Sequence, residues 1–283
     1  MKYRFLRYPG GKCKAVTLSY DDGVRDDLKL VRIINKYGLK CTFNYTNIEH
    51  ITKEEVLDNI LHNGHEIAVH GAEHRAEGVI RPIEGISDVL LCRRELENRY
   101  NLIIRGMAYP DSGISNIFPP SGYSEIKAYL KALDIAYART IGGDNDLFRL
   151  PEDWYAWIPT AHHSNPDMME HIEKFLKISM DGYRSTRYPR LLYIWGHSYE
   201  FERNDNWELL EAICQKLSGK DEIWYATNLE IYNYVQAYNS LSFSADGHII
   251  YNPTIYTIWF DIDGTLYKIC SGETLRIDYK LMR

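Results

Sequence analysis

Residues 14–23 read KAVTLSYDDG, and this stretch decides the fold. Lys14–Tyr20 is short, apolar and partly β-branched, the composition of a buried strand. It stops at Asp21-Asp22-Gly23, residues that favour a turn. Helical patterning follows at once. Over Asp26–Tyr37 the apolar residues are Leu28, Leu30, Val31, Ile33 and Ile34, and Gly38 supplies the stop. A strand that ends on two carboxylates and feeds a helix is one β/α unit.

The unit repeats outward from there. The patterns predict strands over Cys41–Tyr45, Glu66–His70, Ile103–Tyr109, Ile135–Arg139, Leu191–Gly196 and Ile223–Ala226. Helices are predicted over Thr52–His62, Ile86–Tyr100, Ser124–Leu133, Asp167–Ser179, Asn206–Leu217 and Leu229–Ala237. This alternation defines an α/β fold with a parallel sheet. About seven units in some 230 residues fit a distorted (β/α) barrel better than an open sheet. From Ser240 the pattern changes to short strands joined by turns such as Asp246-Gly247 and Asp263-Gly264. The expected organisation is a barrel over residues 1–238 and a small C-terminal β appendage over residues 239–283.

Bulk properties narrow the function classes. The formal net charge of the 283 residues is -6, with no basic stripe, so nothing draws nucleic acid generally. No run approaches transmembrane length. The basic start of the chain is not followed by an apolar run of signal-peptide length. The expectation is a cytoplasmic protein with neither nucleic acid nor membrane as partner. The five cysteines are scattered without a CxxC pair and read as reduced core thiols. The 23 tyrosines suit either a core or sugar-stacking faces.

Polar residues of catalytic type stand at the C-terminal ends of several predicted strands, where α/β barrels carry their sites. They are Asp21-Asp22, His70–His74, Arg105–Pro110 and His197. On a helical turn, the i, i+4 spacing of His70 and His74 presents both imidazoles on one face. With Asp22 as a third ligand they form a set of two imidazoles and one carboxylate, leaving positions open as a catalytic divalent metal requires. Zinc suits that set, and cobalt or nickel can substitute.

The order of these segments resembles the polysaccharide deacetylases of the NodB-homology type, carbohydrate esterase family 4. Ser19-Tyr20-Asp21-Asp22-Gly23 resembles the family's T-F-D-D-G, and His70–His74 its H-[ST]-x-x-H. Arg105–Pro110 resembles R-x-x-x-x-P, Trp195-Gly196-His197 resembles L-x-H, and Asp153-Trp154 is a candidate for a variable fourth motif. The resemblance spans roughly residues 10–235. It implies a metal-dependent hydrolase that removes acetyl groups from an acetylated carbohydrate. Asp21 would be the general base, Arg105 its guanidinium partner and His197 the general acid. Asp22, His70 and His74 would hold the metal, and backbone near Tyr109 would donate to the oxyanion.

Tyr20 departs mildly from Phe. Gly71 stands where Ser or Thr steadies the metal loop, which implies a looser loop. Trp195 stands where Leu lines the acetyl pocket, and Met107 and Ala108 fall in a segment that is often Pro-rich. These departures leave open an O-acetyl esterase, a non-sugar amidase, or an inactive barrel that only binds carbohydrate. Other signals point elsewhere. Asp261–Thr265 matches the D-x-D-G-T opening of haloacid-dehalogenase-type phosphatases, but too little chain follows, so it reads as a hairpin turn. Gly10-Gly11-Lys12 lacks a phosphate-loop frame. His162-His163 reads as a loop pair with a structural or substrate-contact role, and Trp154 and Trp157 serve either core packing or sugar stacking.

Overall fold

The structure is a computed structural model, and it describes residues 3–119, 121–141, 145–179 and 187–277. Along the chain the strands are β1 (Arg4–Arg7), β2 (Lys14–Asp22), β3 (Cys41–Tyr45), β4 (Glu66–Val69), β5 (Gly106–Ala108), β6 (Tyr137–Arg139) and β7 (Ala161–His162). They continue as β8 (Arg190–His197), β9 (Ile223–Tyr225), β10 (Ser242–Phe243), β11 (Ile249–Tyr251), β12 (Ile258–Ile262), β13 (Thr265–Ile269) and β14 (Thr274–Arg276). The helices are α1 (Asp27–Lys36), α2 (Lys53–Asn59), α3 (Pro82–Tyr100), α4 (Tyr123–Ala132), α5 (Met168–Lys177), α6 (Ser198–Arg203), α7 (Trp207–Leu217) and α8 (Asn228–Asn239).

Strands β2 to β9 form one curled parallel sheet in the order β6-β5-β4-β3-β2-β8-β7, with β9 also paired to β2. Residues 157–162 span the remaining side. Trp157 bridges to Arg139 on β6, and β7 pairs with β8. This is the distorted β/α barrel that the alternation predicted. Two elements near its rim, β7 and α6, have no periodic signature of their own in the sequence.

Successive strand residues face opposite sides, and the core divides accordingly. Val16, Leu18 and Tyr20 of β2, with Leu192 and Ile194 of β8, pack under the helices in one cluster. The alternate residues turn inward. Among them Ala15, Leu191 and Tyr193 join a second cluster with Tyr137 and Trp157. Midway up the barrel the inward residues are polar and satisfy one another. Glu66 accepts from Thr42 Oγ1, Tyr137 Oη and the Leu229 amide at 2.8, 2.8 and 2.9 Å. Asn228 takes a bond from Thr17 and gives one to Tyr193. The first turn of α8 therefore plugs the barrel, with a carboxylate at its N-terminus as the helix dipole favours.

Residues 239–283 were expected to form a small β appendage, and β1 joins them: it pairs antiparallel with β12, Arg4 opposite Ile262, in a sheet ordered β1-β12-β13. A second small sheet is ordered β10-β11-β14. Ile258, Phe260 and Ile262 pack with Ile231 and Tyr234 of α8. The D-x-D-G-T segment is the β12–β13 hairpin, Ile262 opposite Thr265.

Glu77 is fully buried beside the site loops, and neither carboxylate oxygen has a hydrogen-bond partner. Burial, reinforced by Asp88, pushes its pKa up to about 8. The folded protein thus holds a proton that the unfolded chain releases near 4.5. The contribution to stability is full below that value and is lost as pH rises through about 8. The melting temperature of Glu77→Gln, measured from about pH 5 to about pH 8, should fall less than that of the parent. Parallel curves would show that Glu77 does not hold the proton.

Candidate active site

Asp21 and Asp22 end β2, and their side chains part company there. Asp21 points inward and is 2% exposed. Its Oδ1 accepts from Asn44 Nδ2 at 2.8 Å and its Oδ2 from Arg139 Nη2 at 2.5 Å. Asp22 adopts φ +80°, a conformation rare for a residue with a Cβ, which turns its carboxylate toward the next loop. There its Oδ1 lies 3.4 Å from His70 Nε2 and 3.3 Å from His74 Nε2.

His70 ends the inward register of β4. Its Nδ1 donates to the Ala108 carbonyl at 2.9 Å, which leaves the Nε2 lone pair facing Asp22. That is the outer contact a metal-ligating imidazole normally makes. Residues 70–76 form an irregular loop, not the expected helical turn, and His74 reaches Asp22 through a left-handed backbone at φ +52°. The looser loop expected of Gly71 is not found. Asp88 of α3 accepts the Glu73 amide at 2.6 Å. A Cβ on Gly71 would lie 2.4 Å from the same carboxylate, and the residue's φ is +73°. Glycine is therefore required where helix α3 braces the loop.

The Asp22 carboxylate is held well below its ordinary range. Burial acts to raise it, but the His70 and His74 imidazoles prevail. Its Oδ1 is buried without a hydrogen bond. A carboxylate oxygen between two imidazole nitrogens roughly 3.3 Å away, the spacing of donors around tetrahedral zinc, fits a divalent cation. His74 is 43% exposed and leaves the site open to solvent.

His197 stands in register with Asp21 on the adjacent strand β8. Burial would lower the His197 pKa, but Glu200, Asp21 and Asp22 raise it above the ordinary imidazole value. Its Nε2 lies 4.0 Å from Asp22 Oδ2. Trp195 lies two residues earlier on the same face, with its ring 4.5 Å from the buried Arg139 guanidinium.

Four sequence assignments change. Arg105 is on the outside, paired with Asp134 at 2.8 Å, because it precedes β5 instead of lying at its inward end. Arg139, fully buried at the end of β6, takes the place against Asp21. The Tyr109 amide donates to the Arg139 carbonyl at 2.9 Å, so it has no proton left for an oxyanion. Asp153 accepts from Lys127 and Tyr123. Trp154 packs edge-on against Trp157 and Tyr232. Neither joins the cluster of Asp21, Asp22, His70, His74 and His197. Arg139 and Asn44 escaped the sequence reading, although both stand at strand ends as the other site residues do.

An open-topped parallel barrel with an Asp-His-His set and an imidazole at adjoining strand ends belongs to the β/α class whose sites are built at strand termini. Residues 3–137, a little under half of the chain, match the family model "Polysaccharide deacetylase", and the curled parallel sheet is consistent with the NodB-type barrel fold. No curated protein matches the sequence. Among solved structures, a putative polysaccharide deacetylase from Mycobacterium smegmatis is similar at 15% identity and TM-score 0.57, covering 84% of this chain and 96% of that one. A family 4 carbohydrate esterase from Streptomyces lividans in complex with acetate follows at 12% identity and TM-score 0.49, covering 74% and 90%. A family 4 acetyl xylan esterase from Clostridium thermocellum with a cobalt ion stands at 16% identity and TM-score 0.48, covering 77% and 90%.

The two arginines can be told apart by stability. Arg139→Ala leaves a buried carboxylate unpaired and should cost about 3–5 kcal/mol in denaturant unfolding. Arg105→Ala removes a surface pair and should cost under about 1 kcal/mol. Equal costs would contradict the buried Asp21–Arg139 pair.

Proposed function

We propose that this protein is a metal-dependent carbohydrate deacetylase acting on an acetylated, in particular N-acetylated, sugar or oligosaccharide. The observation that carries this reading is the division of labour at the end of β2. One aspartate is tied to Arg139 and Asn44, and its neighbour faces the Nε2 atoms of two imidazoles at 3.4 and 3.3 Å.

Asp22, His70 and His74 would hold the ion, zinc by the chemistry of the donors. When bound there, a divalent ion polarises an acetyl carbonyl and makes a water acidic enough to attack it. Asp21 accepts the proton of that water. Its two bonds to Arg139 and Asn44 fix the carboxylate so that the transfer needs no rotation. His197, with its raised pKa, carries the proton that goes to the leaving nitrogen or oxygen as the C–N or C–O bond breaks. Acetate and a free amine or hydroxyl result. Trp195, lying over Arg139, narrows the space beside His197 and favours a small acyl group.

Acetate release from matched N- and O-acetylated sugars tests this reading. Chelated protein should be inactive and recover with zinc or cobalt. Asp21→Asn should lower kcat about 100-fold or more while zinc uptake stays unchanged. Loss of both together would refute separate roles for the two aspartates. Sugar binding without any release would leave a carbohydrate-binding barrel.

A further inference from the structure

A second group of ligand-type side chains lies behind His197. Glu200 Oε2 is 3.1 Å from His162 Nε2 and 3.3 Å from His163 Nε2. Charge-assisted N–H···O bonds close to about 2.7–2.9 Å. Donor atoms around tetrahedral zinc, with bonds of about 2.0–2.1 Å, stand roughly 3.3 Å apart. The His163–Glu200 separation matches the second value, as do those at Asp22, and the His162–Glu200 separation lies between the two.

The local structure holds these rings in place. β7 ends at His162, and the consecutive imidazoles, 4.5 Å between centroids, both turn to the one carboxylate. His162 Nδ1 lies 2.7 Å from Ser164 Oγ and 3.2 Å from the Ser164 amide. The Ser164 amide donates to Nδ1, which anchors the ring with Nε2 turned to Glu200, the atom that would exchange its proton for a cation. His163 is 1% exposed and is clamped between the Tyr20 ring and the Phe201 ring, 5.7 and 4.1 Å away. Gly196 makes room for it, since a Cβ there would lie 1.9 Å from His163 Nδ1. His162 keeps 23% of its side chain exposed, which gives a cation a way in.

We propose that His162, His163 and Glu200 form a second divalent-cation site, separated from the Asp22 site by the imidazole of His197. Two imidazoles and one carboxylate select zinc over magnesium or calcium, which prefer all-oxygen sets. His197 Nδ1 is 3.5 Å from Glu200 Oε2, and its Nε2 faces Asp22. One ring thus lies between two ligand sets, and a cation at Glu200 would fix its orientation from behind. The site needs nothing from the deacetylase reading.

The test is zinc stoichiometry on the full chain, stripped with chelator and titrated with micromolar zinc by calorimetry and elemental analysis. Two ions per chain are expected. The His70→Ala/His74→Ala variant should keep one, and Glu200→Gln should also keep one. Combining all three substitutions should leave none. If Glu200→Gln does not fold, judged by circular dichroism, His162→Ala takes its place. One ion per native chain, lost in His70→Ala/His74→Ala and retained in Glu200→Gln, would overturn the second site and leave the first standing. One ion with the opposite pattern would support the second site and overturn the Asp22 site. No zinc on the native chain would overturn both.

Discussion

Everything in this molecule depends on the two-residue period of a strand laid into a curled sheet. On β2 the even positions Val16, Leu18 and Tyr20 feed the apolar layer under the helices. The odd positions must face a narrow interior shared with seven other strands. Thr17 meets Asn228, Ser19 meets Asn44, and Asp21 meets both Asn44 and Arg139. An interior that is polar in its middle is stable only when each group finds a partner. Helix α8 supplies the partners from below, through Asn228 and the Leu229 amide. With the floor closed, the reactive groups collect at the opposite end, where the strands stop.

That arrangement explains which parts were legible in the sequence. Asp22, His70, His74 and His197 could be read because each is a residue of distinctive chemistry at a visible strand end or in the loop just after one. The β/α alternation could be read because apolar runs and helix stops are local. Arg139 could not be assigned, because its meeting with Asp21 depends on how β6 lies across the barrel from β2, 118 residues away. Arg105 took its place by motif spacing, which is blind to whether a residue falls on the strand or one step before it. Gly71 misled for a similar reason. The support it lacks in its own loop comes from Asp88 on a helix, and no local pattern encodes that contact.

Two of the eight described non-glycine residues with positive φ are ligands of the proposed metal. Asp22 and His74 both carry positive φ with a Cβ, and their neighbours Gly23 and Gly71 take positive φ without one. A Cβ at Gly23 would strike the Tyr45 ring at 2.7 Å. The turns that aim the carboxylate and the second imidazole are therefore held by packing that admits no other residue. The surrounding fold keeps the ligands converged although their backbone would prefer to relax.

The pairing of β1 with β12 has a bearing on how the protein is made. The Tyr3 amide donates to Asp263, a partner 260 residues further along. Contacts of such separation form late. During synthesis the first strand leaves the ribosome long before its partner exists, and helix α8 arrives only after all nine of the strands before it. The base of the barrel is sealed by a helix translated after all of the barrel's strands. Until then the inward carboxylates stay wet, and a truncated chain that stops short of α8 would expose the interior that the finished protein hides.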